Sequence, residues 1–248
     1  MICDAGKPHQ DAVVSNFRPL VFIFFGNEDL WYELLQPGGK DNGPQWLQDL
    51  TATRLVFDQG MRMLCNHGLV EAHSVSSQNG AESNGYSVHG CVHSWMVYVL
   101  NAPNEKGLAE LAMKCTSLHV PGQQVAEYWL IGRRLLPHAD RCRQLLSGSE
   151  NKGSNTWTAA SLGFLYADQG RHQEAEAMYN RALQGYEKAW GPEHTSTLDT
   201  VNNLGSLYKD QGRHQEAEAM YNRALQGKEK ALGQDGVVTY VPFLNVGE

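Results

Sequence analysis

Eighteen consecutive residues, Asp168 to Gly185, recur without change as Asp210 to Gly227, 42 positions further along a chain of 248. Over the wider windows Leu162–Gly191 and Leu204–Gly233, only four of thirty positions differ: Phe164/Ser206, Ala167/Lys209, Tyr186/Lys228 and Trp190/Leu232. A repeat of this length is one supersecondary unit, too small to bury its own apolar face. Copies must therefore stack, and the second half of the chain is bound to a linear repeat architecture.

Each unit reads as two helices. The first runs from about Thr156 to Gln169 and from about Leu198 to Gln211. Each is stopped by a glycine, Gly170 or Gly212, the residue that takes the left-handed position after a helix at no steric cost. In the second helix Ala175, Met178, Tyr179 and Ala182 recur at helical spacing, as do Ala217, Met220, Tyr221 and Ala224, giving one apolar stripe per helix. Small alanines let the helices approach and the tyrosines fill the space beside them.

At these residues the sequence resembles the tetratricopeptide family, whose pattern is W-x2-L-G-x2-Y, then A-x3-F, then P. Leu162-Gly163, Tyr166, Ala175 and Tyr179 follow it, as do Leu204-Gly205, Tyr208, Ala217 and Tyr221; Ala159 and Val201 replace the Trp, and Glu187 and Glu229 the Pro. The long period and the Gly191-Pro192-Glu193-His194 joint look like the kinesin-light-chain-type subgroup. The resemblance covers residues 155–248. It implies a right-handed helical solenoid that binds a peptide or partner helix in a groove lined by its first helices. On that basis Trp157, Ala160, Phe164, Asp199, Asn202, Asn203, Ser206 and Lys209 are the groove candidates. Asn202 carries most weight, because a carboxamide both donates to and accepts from an extended peptide backbone. The same period aligns Thr239, Asn245 and Gly247 with Thr197, Asn203 and Gly205. A third unit therefore starts and is cut short, and the open end is expected to self-associate.

Residues 1–16 show no period and are expected to be unstructured, 17–146 form a helical module, and 147–154 a linker. Phe17 to Leu35 reads as strand then helix, and Gln36 to Pro44 as a loop by its glycines and prolines. Trp46, Leu47 and Leu50 begin a helix; Phe57, Met61 and Leu64 line another. Leu69–Val75 and Tyr86–His89 are strand-like runs around a turn rich in Asn-Gly, and Val92, Trp95, Met96 and Val99 mark a closing helix. This order is that of a winged helix, so the chain as a whole is expected to be mainly α: a winged-helix-like module followed by a short solenoid.

The string Phe57…His67-Gly68-Leu69-Val70-Glu71, then Tyr86-Ser-Val-His89-Gly-Cys-Val-His93-Ser-Trp95, then Arg133-Arg-Leu-Leu-Pro-His138-Ala-Asp-Arg-Cys142, resembles the segment that joins the nucleotide-binding module to tetratricopeptide repeats in fungal NLR-like proteins of the STAND, NB-ARC type. That family closes its winged helix with a Met-His-Asp motif beside the β-phosphate of ADP. Val88-His89-Gly90 stands at the matching position, with Gly90 in place of the acid. The resemblance thus implies that His89 senses a nucleotide held by a missing upstream domain. The chain itself has no G-x-x-x-x-G-K-[ST] loop, so it is not expected to bind nucleotide alone.

Charge and composition narrow the remaining classes. The net charge of −7 is spread along the chain. The nearest basic cluster, Arg133, Arg134, Arg141 and Arg143, is interleaved with acids and reads as a solvated helix face, so nucleic acid is not an expected partner. A winged-helix transcription regulator is the alternative, disfavoured by Arg54 and Arg62 standing against Asp58 and by a wing without Lys or Arg. The longest apolar run, Leu20 to Phe25, is far below the roughly 20 residues needed to span a bilayer. Five cysteines without a Cys-x-x-Cys pair suit free thiols in the cytoplasm. His89-x-Cys91-x-His93 lacks a fourth ligand for a structural metal, and Cys115 with His119 lacks an orienting acid. No metal, cofactor or catalytic role is expected. His172 and His214 read as duplicated surface or capping residues, and Glu174, Glu176, Glu216 and Glu218 as solvating charges. The expected function is a non-catalytic scaffold for protein partners.

Overall fold

In a computed structural model of the protein, the described residues are 24–39, 43–76, 82–100, 106–147 and 155–232. The chain is mainly helical and divides into two units between Gly148 and Ser149. The residues expected to be unstructured (1–16), the turn expected between the two strand-like runs and the residues expected to start a third unit lie outside the described residues.

The first unit places α1 (Tyr32–Gly39), α2 (Gln45–Leu50) and α3 (Arg54–Asn66) before a hairpin of β1 (Val70–Ser76) and β2 (Glu82–Val88). After it come α4 (Gly90–Trp95), a π-helical turn (Met96–Leu100), α5 (Lys106–Leu118) and α6 (Tyr128–Ser147). Thr53 caps α3, its hydroxyl accepting from the Val56 N–H at 3.2 Å. Phe57 and Met61 on α3 join Leu34, Leu35, Leu47 and Leu50 in a fully enclosed core. Leu30 exchanges two backbone hydrogen bonds with Tyr86, each 2.8 Å, so an isolated strand residue flanks β2.

Four expectations change here. Helix α1 continues through Gln36, Pro37, Gly38 and Gly39, where the composition suggests a loop. The bare Gly38 backbone lets α1 press on Leu47 and Cys115, and a Cβ there would stand 2.7 and 2.9 Å from them. Asn84-Gly85 belongs to β2, opposite Ser74 and His73, and not to the turn. A side chain at Gly85 would collide with Asp29 and His73, so the glycine serves a close approach. Strand β2 ends at Val88, and His89 caps α4 instead of closing the strand. The closing stripe is broken too: Met96 is buried but Trp95 is 53% exposed, and from Met96 onward the regular helix gives way to a π turn.

The second unit contains α7 (Thr156–Asp168), α8 (His172–Trp190), α9 (Thr195–Asp210) and α10 (His214–Leu232), two antiparallel hairpins of the duplicated sequence. Gly170 and Gly212 end the first helices with φ of 72° and 75°. Within each hairpin the helices meet at Gly163 or Gly205. A Cβ at Gly163 would stand 2.6 Å from the Tyr179 ring, and one at Gly205 2.9 Å from the Tyr221 ring. At the corner between hairpins Trp190 stacks on Tyr186 with centroids 5.2 Å apart and reaches the His194 ring at 4.5 Å. His194 in turn caps α9, its Nδ1 accepting from the Ser196 N–H at 3.2 Å.

Candidate functional site

The surface offered by the second unit follows from which sides of α7 and α9 are already used. Ala159, Leu162, Leu165 and Tyr166 of α7, and Val201, Leu204, Leu207 and Tyr208 of α9, are turned inward and buried. The residues between them supply the open side. Trp157 is 42% exposed, and Ala160 and Phe164 are half-buried on the same helix. On α9, Asp199, Ser206 and Lys209 are exposed while Asn202 and Asn203 are half-buried.

Two of these are already engaged by their own hairpin. The Lys228 ammonium of α10 stands 2.8 Å from the Asp199 carboxylate. The Tyr221 hydroxyl donates to Ser206 Oγ at 3.1 Å, and Ser206 Oγ donates to the Asn202 carbonyl at 3.3 Å. Among the described residues, the Asn202 and Asn203 carboxamides enter no hydrogen bond. Two amides with unmet donors and acceptors thus lie on α9, and the aromatic rings Trp157 and Phe164 on its neighbour α7.

The hairpins are locked by charges that sequence reasoning assigns to solvent. Glu176 of α8 accepts from the Tyr208 hydroxyl at 3.1 Å and pairs with Arg213 at 3.0 Å. Arg213 also holds Glu216 at 2.6 Å and lies over the Tyr208 ring, 4.0 Å from its centroid. The hydrogen bonds that Arg213 donates to Glu216, then to Glu176, raise its pKa, and the bond accepted from Arg213 lowers that of Glu216. Burial, then Glu176, raises that of Tyr208. Arg223 pairs with Glu187, and Lys230 with Glu193 at 2.9 Å. Only Glu218 of the four acids stands as the solvating charge expected; Glu174 pairs with Arg171 at 2.7 Å. The repeat itself held the signal, a Glu and an Arg that recur together in both units. His172 and His214 are the first residues of α8 and α10, and neither caps its helix.

In the first unit the polar centre is Asp29, held with φ at 49°. Arg134 clamps its carboxylate at 2.6 and 2.8 Å and covers Trp31 at 4.3 Å, and His73 approaches at 3.4 Å. Arg134 is therefore not part of a solvated face. His89 lines a cavity of about 560 Å³ with Glu28, Asp29, Glu71 and His73, and its Nδ1 accepts from the Cys91 N–H at 3.4 Å. His93 reaches the Phe25 carbonyl at 3.2 Å. Among the described residues no group of three His, Cys, Asp or Glu side chains is placed to hold a metal ion. Cys115 and His119 are not a nucleophile pair: His119 Nδ1 meets the Cys115 carbonyl at 3.0 Å, and burial pushes the thiol up to about 12. On α3, Arg54 lies 3.4 Å from Glu33, and Asp58 accepts from the Tyr86 hydroxyl at 3.0 Å.

The stacked hairpins, with a tyrosine in each crossing and an open side on the first helices, define a helical-repeat region. Residues 155–230 match the family model for the tetratricopeptide repeat. No curated protein matches the chain. Repeats of this family generally mediate protein–protein interaction and are typically non-catalytic. Among the described residues no helix is long and apolar enough to cross a membrane.

Proposed function

We propose that the chain is a non-catalytic scaffold whose repeat unit binds an extended segment of a partner protein along α7 and α9. The observation that carries this reading is the free carboxamide pair Asn202 and Asn203, beside a helix that exposes Trp157 and Phe164. An extended backbone has one donor and one acceptor per residue, and an amide side chain satisfies both at once. Ala160 keeps the floor low between the two aromatics, and Lys209 adds a cation at the end of α9. Asp199 and Ser206, held by Lys228 and Tyr221, shape the wall and contribute less to binding. The free thiols of the described cysteines suit a reducing, cytoplasmic setting.

The test is a peptide selected from a display library against the whole chain, its affinity then measured by fluorescence polarisation. Replacing Asn202 and Asn203 together by Ala should weaken binding about tenfold or more with an unchanged melt. Equal affinity in the double variant rejects the groove.

Within this reading the first unit is a winged-helix-like module of the NLR-like type, and His89 faces a nucleotide held by a domain outside this chain. The supporting observation is that His89, just after β2, is one of the residues lining the cavity. ADP with magnesium should leave the melt of this chain unchanged and shift that of a fusion carrying a nucleotide-binding module. His89→Ala should shrink that shift; an undiminished shift removes His89 from the proposal.

A further inference from the structure

Helices α8 and α10 share one sequence from His172 to Gly185 and from His214 to Gly227, yet they differ in what lies over it. On α8, covered by α9, Met178 is 6% and Tyr179 2% exposed. On α10 their counterparts Met220 and Tyr221 are half-exposed, and Leu225 is 44% exposed. The polar partners change in step. Glu176 receives Tyr208 and Arg213 from the next hairpin, and Glu187 receives Arg223. One period on, Glu218 and Glu229 are exposed and enter no ion pair among the described residues.

We propose that this face of α10 is a docking surface for a helical hairpin of the same kind supplied by another chain, which sets a Tyr–Arg pair on Glu218 and a second Arg on Glu229. The apolar strip Met220, Tyr221 and Leu225 supplies the burial, as Met178 and Tyr179 do beneath α9. The carboxylates select the occupant, since they match a hairpin that is basic at the Arg213 and Arg223 positions. They also oppose face-to-face docking of a second α10, which would bring two acidic edges together. Apart from Tyr221, whose hydroxyl also holds Ser206, this surface is separate from the groove of α7 and α9, and substitutions at Glu218 test it without touching that groove.

The test uses the whole chain and a 42-residue peptide with the sequence of residues 191–232, read by calorimetry, circular dichroism and sedimentation. A one-to-one complex that gains helix is expected. Glu218→Lys should weaken it about tenfold, and a peptide carrying Glu at its Arg213 position should recover most of that loss. No complex, or one indifferent to Glu218, overturns the proposal. So does binding that emerges only after residues 233–248 are removed, or self-association of the chain that Tyr221→Asp abolishes. Because a lone hairpin folds poorly, a second measurement joins a further copy of residues 191–232 directly after Leu232. Amide exchange across α10 should slow markedly there, and unchanged exchange overturns the proposal as well.

Discussion

Glu176 of α8 and Arg213, the residue before α10, meet at 3.0 Å across the boundary between the two hairpins, with the Tyr208 hydroxyl on the same carboxylate at 3.1 Å. A duplicated residue has thus acquired two fates. Glu176 bridges hairpins, while Glu218, with the same local sequence, is exposed. The pair supplies an internal control rarely found in a single chain. Glu176→Gln should cost about 0.5–1 kcal/mol, the range of a half-exposed pair, and Glu218→Gln close to nothing. Denaturant titration of both variants decides it, and equal losses would mean that the bridge does not couple the hairpins.

The crossing glycines offer a second comparison between copies. A Cβ meets the Tyr179 ring at 2.6 Å and the Tyr221 ring at 2.9 Å, but Tyr179 is walled in and Tyr221 is half-exposed. Overpacking costs about 1–3 kcal/mol where neighbours cannot yield. Gly163→Ala is expected near the top of that range and Gly205→Ala near the bottom. Thermal melts that reverse the order would show that the hairpins are not closed as described.

In the first unit, Arg133 is exposed while Arg134 is clamped on Asp29. Removing one partner of a pair that is 17% and 18% exposed leaves a poorly solvated charge, so Arg134→Gln should cost about 2 kcal/mol or more. Arg133→Gln should be silent. A chain indifferent to both substitutions would reject Asp29 as the anchor of this unit.

The repeat region was legible because its signals are local and doubled: glycine stops, an alanine-tyrosine stripe and a fixed period survive without knowledge of any distant residue. In the first unit α2 and α3 were legible from their own apolar spacing, but α1 runs on through residues that read as a loop and the closing stripe gives way to a π turn. What sequence spacing hid were approaches between remote residues. Nothing near Gly85 reveals that Asp29 and His73 fill the space its side chain would take, and nothing near Arg134 points to a carboxylate more than a hundred positions earlier. The Asp199–Lys228 pair was half-visible, since Lys228 replaces Tyr186 where Asp199 replaces Trp157. Two positions that change together between copies mark neighbours, and that comparison reaches further than either residue alone.

Thiol reactivity separates the described cysteines by the same logic of burial. Cys91 is exposed, whereas burial pushes both Cys115 and Cys142 up to about 12. The thiolate is the reactive form, so Cys91 should be alkylated by iodoacetamide in the folded chain while Cys115 and Cys142 react only on unfolding. Peptide mapping after a short pulse reads this directly; early labelling of Cys142 would contradict an enclosed α5–α6 contact.

The last expectation concerns acid. His138 is fully enclosed: its Nδ1 accepts from the Gly26 N–H at 3.1 Å, and its Nε2–H donates to the Asp29 carbonyl at 3.2 Å. This network fixes the neutral ring in one tautomer. Burial, the largest cause, takes its pKa down to about 4, and a proton added at Nδ1 would also face the Gly26 donor. The unfolded chain binds that proton near the ordinary histidine value of about 6.5, so between the two values the unfolded state holds more protons and stability rises with pH. The contribution of His138 is fully present above about pH 6.5 and fades on acidification toward about pH 4, on the order of 3 kcal/mol in all. Urea midpoints measured from pH 7.5 to pH 4.5 should fall accordingly. His138→Gln, which keeps an acceptor and a donor but does not titrate, should be less stable at neutral pH and flatter across the window. A variant as steep as the parent would place the acid sensitivity elsewhere.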